Sequence, residues 1–351
     1  VRLPIKFLFL VALLVAGATN AWSADGRILS FDGDVRVNGK SVTAYTVLNS
    51  EDTIVTAAGA SIKIVLSDNS VLDIDSGSNI KLSDYSYNPA APKESTSDIS
   101  VVEGTLRYVS GLIAKEDPDN ISFTAGNSTI GVRGSFTGIK VEGVTVKVEA
   151  MIGEATLKPN EGEGQQDAVV VPPGQATQID PITGKTVVVA STLDNKVNDI
   201  VHIIAAAAPD ASNRLSTDEG CSKGRLPKRD VAHPTADAET AAAIEARLAA
   251  LSEGELIMVM AVLINNAGHL CIDSDTLAAT LTTIAKVQPA VVASVAAFAV
   301  SIVDEETGKK FIKAATPVTP GGPDSKPPVK PVEAPINNEI PPGGGTPPSP
   351  E

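Results

Sequence analysis

Ile130-Gly131-Val132-Arg133-Gly134-Ser135-Phe136 sets two glycines around an arginine and closes both ends with apolar side chains. A glycine inside an apolar run either takes a backbone conformation that a Cβ forbids or lets another chain segment approach closely. The stretch predicts a strand pinned at two tight points, with Arg133 held between them for a fixed hydrogen-bonding task. Arg133 is expected to satisfy backbone carbonyls or a carboxylate inside the fold, in preference to gripping an anionic ligand with its planar fork.

Segments on either side read as further strands. Ser61-Ile62-Lys63-Ile64-Val65-Leu66 and Ser70-Val71-Leu72-Asp73-Ile74-Asp75 are two short strands separated by Ser67-Asp68-Asn69. Val144-Thr145-Val146-Lys147-Val148-Glu149 alternates strictly, which predicts one apolar and one wet face. Turn residues recur between such runs, at Asp32-Gly33-Asp34, Asn38-Gly39, Glu142-Gly143, Asp180-Pro181 and Thr183-Gly184. Many short strands at this spacing predict a mainly β fold over residues 25–198, an antiparallel β-sandwich or β-roll. Aromatic residues make up 3% of the chain, so the core has to be built from Val, Ile, Leu and Ala. Residues 86–98 carry prolines and small polar side chains and read as a surface loop.

The period changes after about Val197. Residues 199–208 predict a short helix. Residues 236–251 predict a second, alanine-rich one with Ile244, Leu248 and Leu251 on one stripe. Residues 256–264 are apolar on every side and predict a buried helix, too short to cross a bilayer core. Residues 274–287 predict a helix capped by Asp273 or Ser274, and Pro289 opens another running to about Val303. Residues 199–312 are thus expected to form a small α-helical bundle. From 313 to 351 proline, glycine and small polar residues dominate, as in Pro341-Pro342-Gly343-Gly344-Gly345, and a disordered tail is expected.

Residues 1–24 have the layout of a secretory signal peptide. Arg2 and Lys6 are basic, residues 7–17 are apolar, and small residues follow at Ala18, Ala21, Ser23 and Ala24. Export to the periplasm or the cell exterior is expected, with no stable membrane span after cleavage. In an oxidising compartment the isolated pair Cys221 and Cys271 is expected to form one disulfide. A metal site using Cys221, Cys271, His269 and His233 is the alternative, although the spacing matches no standard zinc pattern. The formal net charge of −14 argues against a nucleic-acid partner, which needs a basic face, and against docking on an anionic membrane surface.

The order of the motifs resembles the FecR-like periplasmic domain family. Gly26-Arg27-Ile28 through Gly33-Asp34-Val35 looks like the family's opening turn. Asp52-Thr53-Ile54-Val55-Thr56-Ala57 resembles its "Gly-Asp-x-Ile-x-Thr" stretch, with Glu51 where glycine is usual. Ser67-Asp68-Asn69-Ser70-Val71-Leu72 resembles its "Asp-Gly-Ser" hairpin, with Asn69 in the turn position, where Asn is the expected substitute for Gly. Val102-Glu103-Gly104-Thr105-Leu106 and Phe123-Thr124-Ala125 lead to the central Ile130-Gly131-Val132-Arg133-Gly134, after which Ser135 stands where the family has threonine. Gly153-Glu154-Ala155-Thr156-Leu157 and Val171-Pro172-Pro173-Gly174-Gln175-Ala176 are similar to the closing strands. The resemblance covers roughly residues 25–190. It implies a sensing or binding module outside the cytoplasm. Founding members of the family also carry a cytoplasmic segment that controls a sigma factor, and the short stretch before the apolar run at residue 7 leaves no room for one in this reading.

No catalytic constellation stands out. His202, His233 and His269 all lie outside the β segment, and neither a nucleophile elbow nor a phosphate-binding loop occurs. Asp73 and Asp75 share one face of a strand and could bind calcium or serve as acid and base. A polar solvent face opposite Leu72 and Ile74 is the expected reading. Tyr85 and Tyr87 are expected to be exposed near a loop. Trp22, the single tryptophan, lies in the signal region, so cleavage after Ser23 or Ala24 would leave the mature chain without the indole platforms that glycan sites favour. The sequence therefore predicts a protein with no enzymatic activity, no cofactor and no metal. It is expected to act as an interaction or scaffold module on an envelope protein. A sensor of a small ligand or glycan that signals to a separate membrane protein is the alternative.

Overall fold

The computed structural model describes residues 24–160, 167–179, 185–189, 196–207, 241–270 and 272–316. The expected signal segment up to residue 23, Cys221, Cys271, His233 and the expected tail from residue 317 lie outside the described residues.

The chain is mainly β and then helical, as its periodicities predict. The opening strands are short: β1 (Gly26–Asp32), β2 (Val35–Val37), β3 (Lys40–Ser41), β4 (Val47–Leu48), β5 (Thr53–Thr56), β6 (Ser61–Leu66), β7 (Val71–Ile74) and β8 (Asn79–Ser86). β9 (Thr96–Val109), β10 (Ile121–Ala125), β11 (Ser128–Glu142) and β12 (Thr145–Pro159) follow, and three of these are 14 or 15 residues long. β13 (Val169–Val171), β14 (Gln175–Ile179) and β15 (Thr186–Val189) complete the described sheet.

The long strands change partners partway, and that folds the sheet on itself. Before Gly104, β9 pairs with β8 and β10; from Gly104 onward it pairs with β11 and, from Leu106, with β7. Gly104 takes φ +91°, and a Cβ there would stand 2.5 Å from the Ser78 Cα, so only glycine fits the corner. β11 likewise leaves β10 after Gly131 and joins β9 from Phe136, with β12 running beside both halves. One layer holds β4, β1, β6, β7, the later parts of β9 and β11, the start of β12, β14 and β15. The other holds β3, β2, β5, β8, the earlier parts of β9 and β11, β10, the end of β12, and β13. Ile54, Ile62, Leu72, Ile80, Leu106, Phe123 and Ile139 fill the space between them. Tyr108 meets Phe123 edge-on there, with ring centroids 5.0 Å apart.

Two local expectations are corrected. β9 and β10 pair in parallel, because residues 110–120, with α1 (Leu112–Glu116), carry the chain back across the sheet instead of turning it in a hairpin. The second face of residues 144–149 is not wet: Lys147 and Glu149 are 7% and 1% exposed. β12 also runs between β11 and β14, with both edges paired there. Burial pushes the Lys147 amine down, Glu149 and Glu142 oppose the shift, and Lys140 adds to it.

The helices are α2 (Lys196–Ala207), α3 (Ala241–Ala249), α4 (Glu253–Asn265), α5 (Ala267–Leu270), α6 (Ser274–Val287), α7 (Val292–Ser301) and α8 (Glu305–Ala315). Ser252 and Glu255 form a reciprocal cap at the start of α4. α4 has no polar face because it has no wet side. It packs on β7, β9 and β11 below and on α2, α6 and α7 around it. Its side chains join Val65, Val71, Val109, Phe136, Met151 and Ile152 of the first layer in a second apolar cluster. Asp273 is the N-cap of α6, accepting from the Thr276 N–H at 2.9 Å. α7 starts after Pro289 instead of on it. The Gln288 amide donates to the carbonyls of Leu248 and Leu251 at 2.8 and 2.7 Å and ties the segment into a turn. α8 has no counterpart in the expected helices and runs past the boundary at residue 312, capped by Asp304 and anchored by buried Phe311.

Candidate functional site

The glycine-flanked stretch is the place where β11 changes layers. The register slips between Arg133 and Phe136. Ile130 and Val132 point into the core between the layers, and after the slip Ile139 and Val141 do so, whereas Phe136 faces the helices. A one-residue bulge thus switches the inward set from even to odd positions. Gly131 has no room for a Cβ, which would sit 2.7 Å from Thr156 Oγ1. Gly134 takes φ +66°, and its missing Cβ leaves space for the His269 ring of α5, whose Nε2 would lie 2.9 Å away. Arg133 is not inside the fold. Its side chain is 65% exposed and reaches Asp119 Oδ1 at 3.4 Å, a surface contact. The inward positions of Ile130 and Val132 were the signal that would have put Arg133 outside.

Asp73 does not lie on a wet face, although the Asp75 side chain two residues on is 38% exposed. Lys63, Asp73 and Arg107 are register partners on three adjacent strands, on the side that the helices cover. Lys63 Nζ donates to Asp73 Oδ1 at 2.8 Å, and Arg107 reaches Asp73 Oδ2 at 3.4 Å and Asp75 Oδ1 at 2.8 Å. The side chains of Lys63, Asp73 and Arg107 are only 9–12% exposed. The Lys63 stem lies where a Cβ on Gly254, in the first turn of α4, would touch it at 3.0 Å. Both carboxylates are occupied by cations, which leaves neither poised as a free acid or base.

The turn motifs hold the hairpins. Asp68 is fully buried: its Oδ1 accepts from the Ser70 N–H, the Ser70 hydroxyl and the Tyr85 hydroxyl at 3.1, 2.6 and 3.1 Å, and its Oδ2 from the Ile113 N–H at 3.4 Å. Tyr85 is therefore buried, not exposed, and burial pushes its phenol far up, with the Asp68 charge adding to the shift. Asn69 takes φ +66°, and its carbonyl accepts from the Asn265 amide of α4 at 3.0 Å. Asp52 accepts from the Asn38 amide at 2.6 Å and from the Asn49 N–H at 2.8 Å, fixing two turns with one carboxylate. His202 lies half-buried in α2.

Where β9 bends between the layers, a cleft of about 530 Å³ opens. Gly59, Ser61, Asp75, Gly77, Glu103, Gly104, Lys140 and Glu142 line it, with Ala60, Ser76, Thr105 and Val141. Lys140 Nζ pairs with Glu142 Oε1 at 2.7 Å. Glu103 and Glu142 entered the sequence reading only as parts of a strand and a turn, and Lys140 not at all, so nothing there pointed to a cleft. The lining is polar, unlike the apolar walls of most small-molecule pockets. Among the described residues no group of three or more His, Cys, Asp and Glu side chains could hold a metal ion, and no helix is long and apolar enough to cross a membrane.

Residues 52–156 match the family model for FecR protein. A search of curated proteins returns no match. Two crystal structures of a candidate anti-sigma factor from Parabacteroides distasonis, at 2.50 and 1.65 Å, are similar at 12% identity with TM-scores of 0.33 and 0.31. They cover 43% and 40% of this chain, which spans 64% and 59% of theirs.

Proposed function

We propose that this chain is an exported, non-enzymatic protein-interaction or scaffold module of the bacterial periplasm or envelope. One observation carries the reading: its best-placed chemical groups are spent on the fold. Asp68, Asp73 and Arg107 hold turns and strands together. In contrast, the outer face of the second layer keeps a cross-strand row of Lys81, Ser100, Thr124, Thr129 and Lys158 at least partly exposed. The FecR match supports a regulatory module that works through other proteins. The layout of residues 1–24 supports export.

A photo-crosslinking residue placed at Ser100 or Thr124 of the full-length protein in living cells tests the interaction. Discrete adducts with an envelope protein are expected, and their absence at both positions refutes it. Fractionation with mass analysis of the N-terminus tests export. The protein is expected outside the cytosol, starting after Ala21, Ser23 or Ala24; a cytosolic protein with residues 1–23 intact contradicts it. The cleft favours a second reading, a sensor of a small polar ligand or glycan. Melting temperature measured against cell-wall fragments and iron chelates separates the two, since a ligand of the folded state raises it with concentration.

A further inference from the structure

We propose that the corner cleft receives a lysine or arginine side chain of the partner protein; this rests on the protein-interaction reading and specifies its contact. The cleft exists because Gly104 turns β9 from one layer to the other, leaving a gap between the β6–β7 side and the β11–β12 hairpin. Asp75, Glu103, Glu142 and Lys140 are the charged residues of its lining. Asp75 is held by Arg107 and Glu142 by Lys140, so Glu103 supplies the uncompensated charge among the described residues.

Exposed valines flank two of these carboxylates along the chain. Val102, next to Glu103, is 55% exposed, and Val144, two residues past Glu142, is 78% exposed. Valines beside a carboxylate suit a side chain with a methylene stem and a cationic head, which buries the one while hydrating or pairing the other. A metal ion fits poorly, since the carboxylates do not converge as a ligand set. An apolar ligand fits poorly too, since Ala60 and Val141 are the only aliphatic side chains in the wall besides backbone and polar groups. At Gly59 and Gly77, both exposed, a Cβ would meet nothing within 4 Å. The acidity of the whole chain, −14, adds attraction for a basic partner at long range.

The probe is the peptide acetyl-Gly-Arg-Val-Arg-Gly-amide, with the same peptide carrying neutral citrulline for arginine as its control. Each is titrated into the isotopically labelled full chain, and the backbone amides of Gly59, Gly77 and Gly104 are followed. Saturable shifts at these glycines are expected with the arginine peptide. Binding is expected to weaken about tenfold or more with citrulline, with the variant Glu103→Gln/Glu142→Gln, and at high salt. Both glutamates are exposed, so the variant is expected to melt with the wild type. Silence at the cleft glycines, or equal titration by the citrulline peptide or by the variant, overturns the proposal. If crosslinks at Thr124 persist while the peptide fails, this inference falls and the interaction reading stands. If no crosslinks form at all, the interaction reading falls first.

Discussion

Glu51 stands in left-handed backbone at φ +72°, at the position where the resembled motif has glycine. A side chain there costs about 1–2 kcal/mol, offset in part by the exposed pair with Lys81. Glu51→Gly is expected to stabilise the protein by about 0.5–1 kcal/mol, less than the strain because glycine also frees the unfolded chain. A higher urea midpoint at unchanged slope checks it, and a lower midpoint contradicts it. Gly134→Ala has the opposite sign. The new Cβ meets both a φ of +66° and the His269 ring, and a loss of about 1–3 kcal/mol is expected. In a His269→Ala background the same change is expected to cost at least about 0.5 kcal/mol less; an identical cost would show that backbone strain is the whole effect. These turn positions were legible in the sequence because glycine and asparagine report local backbone shape. The fate of Asp73 was not. Its outward direction follows from Leu72 and Ile74, but what covers it is α4, whose residues lie far along the chain.

At the level of elements, the strength of a sequence signal followed how much of the element's environment was uniform. α4 announced itself because helices and sheet surround it, so every position is apolar. The long strands β9, β11 and β12 were read as short pieces because each crosses from one layer to the other, and its polar and apolar positions change sides at a bulge or a glycine. The parallel pairing of β10 left no trace, since parallel and antiparallel neighbours demand the same side chains here. The cap of α4 is a local feature with a measurable weight. Ser252 accepts from the Glu255 N–H, and the Glu255 carboxylate accepts from the Ser252 N–H at 2.7 Å. Ser252→Ala is expected to cost about 1 kcal/mol, and Ser252→Asp to keep most of the stability. Equal losses in both variants, measured by chemical denaturation, would show that the cap is not what matters there.

The whole molecule is organised around the first layer, which serves two cores at once. Its inner side packs on the second layer through Ile62, Ile64, Leu72 and Leu106, and its outer side packs on the helices through Val65, Val71, Val109 and Phe136. Along β6, β7 and β9 the two sets alternate residue by residue, so neither core can loosen without disturbing the strands that bear the other. The ionic row of Lys63, Asp73 and Arg107 adds to this coupling. It sits on the helix-facing side at 9–12% exposure, and charges so placed depend on the cover that keeps their partners fixed. The sequence divides at about residue 198 into a β and a helical part, yet the physical boundary between cores runs through the middle of individual strands. Calorimetry of the intact chain is therefore expected to show one unfolding transition, with calorimetric and van't Hoff enthalpies in agreement. A separate low-temperature step carrying only helical signal would mean that α2 to α8 fold as an independent body, and the shared-layer account would fail.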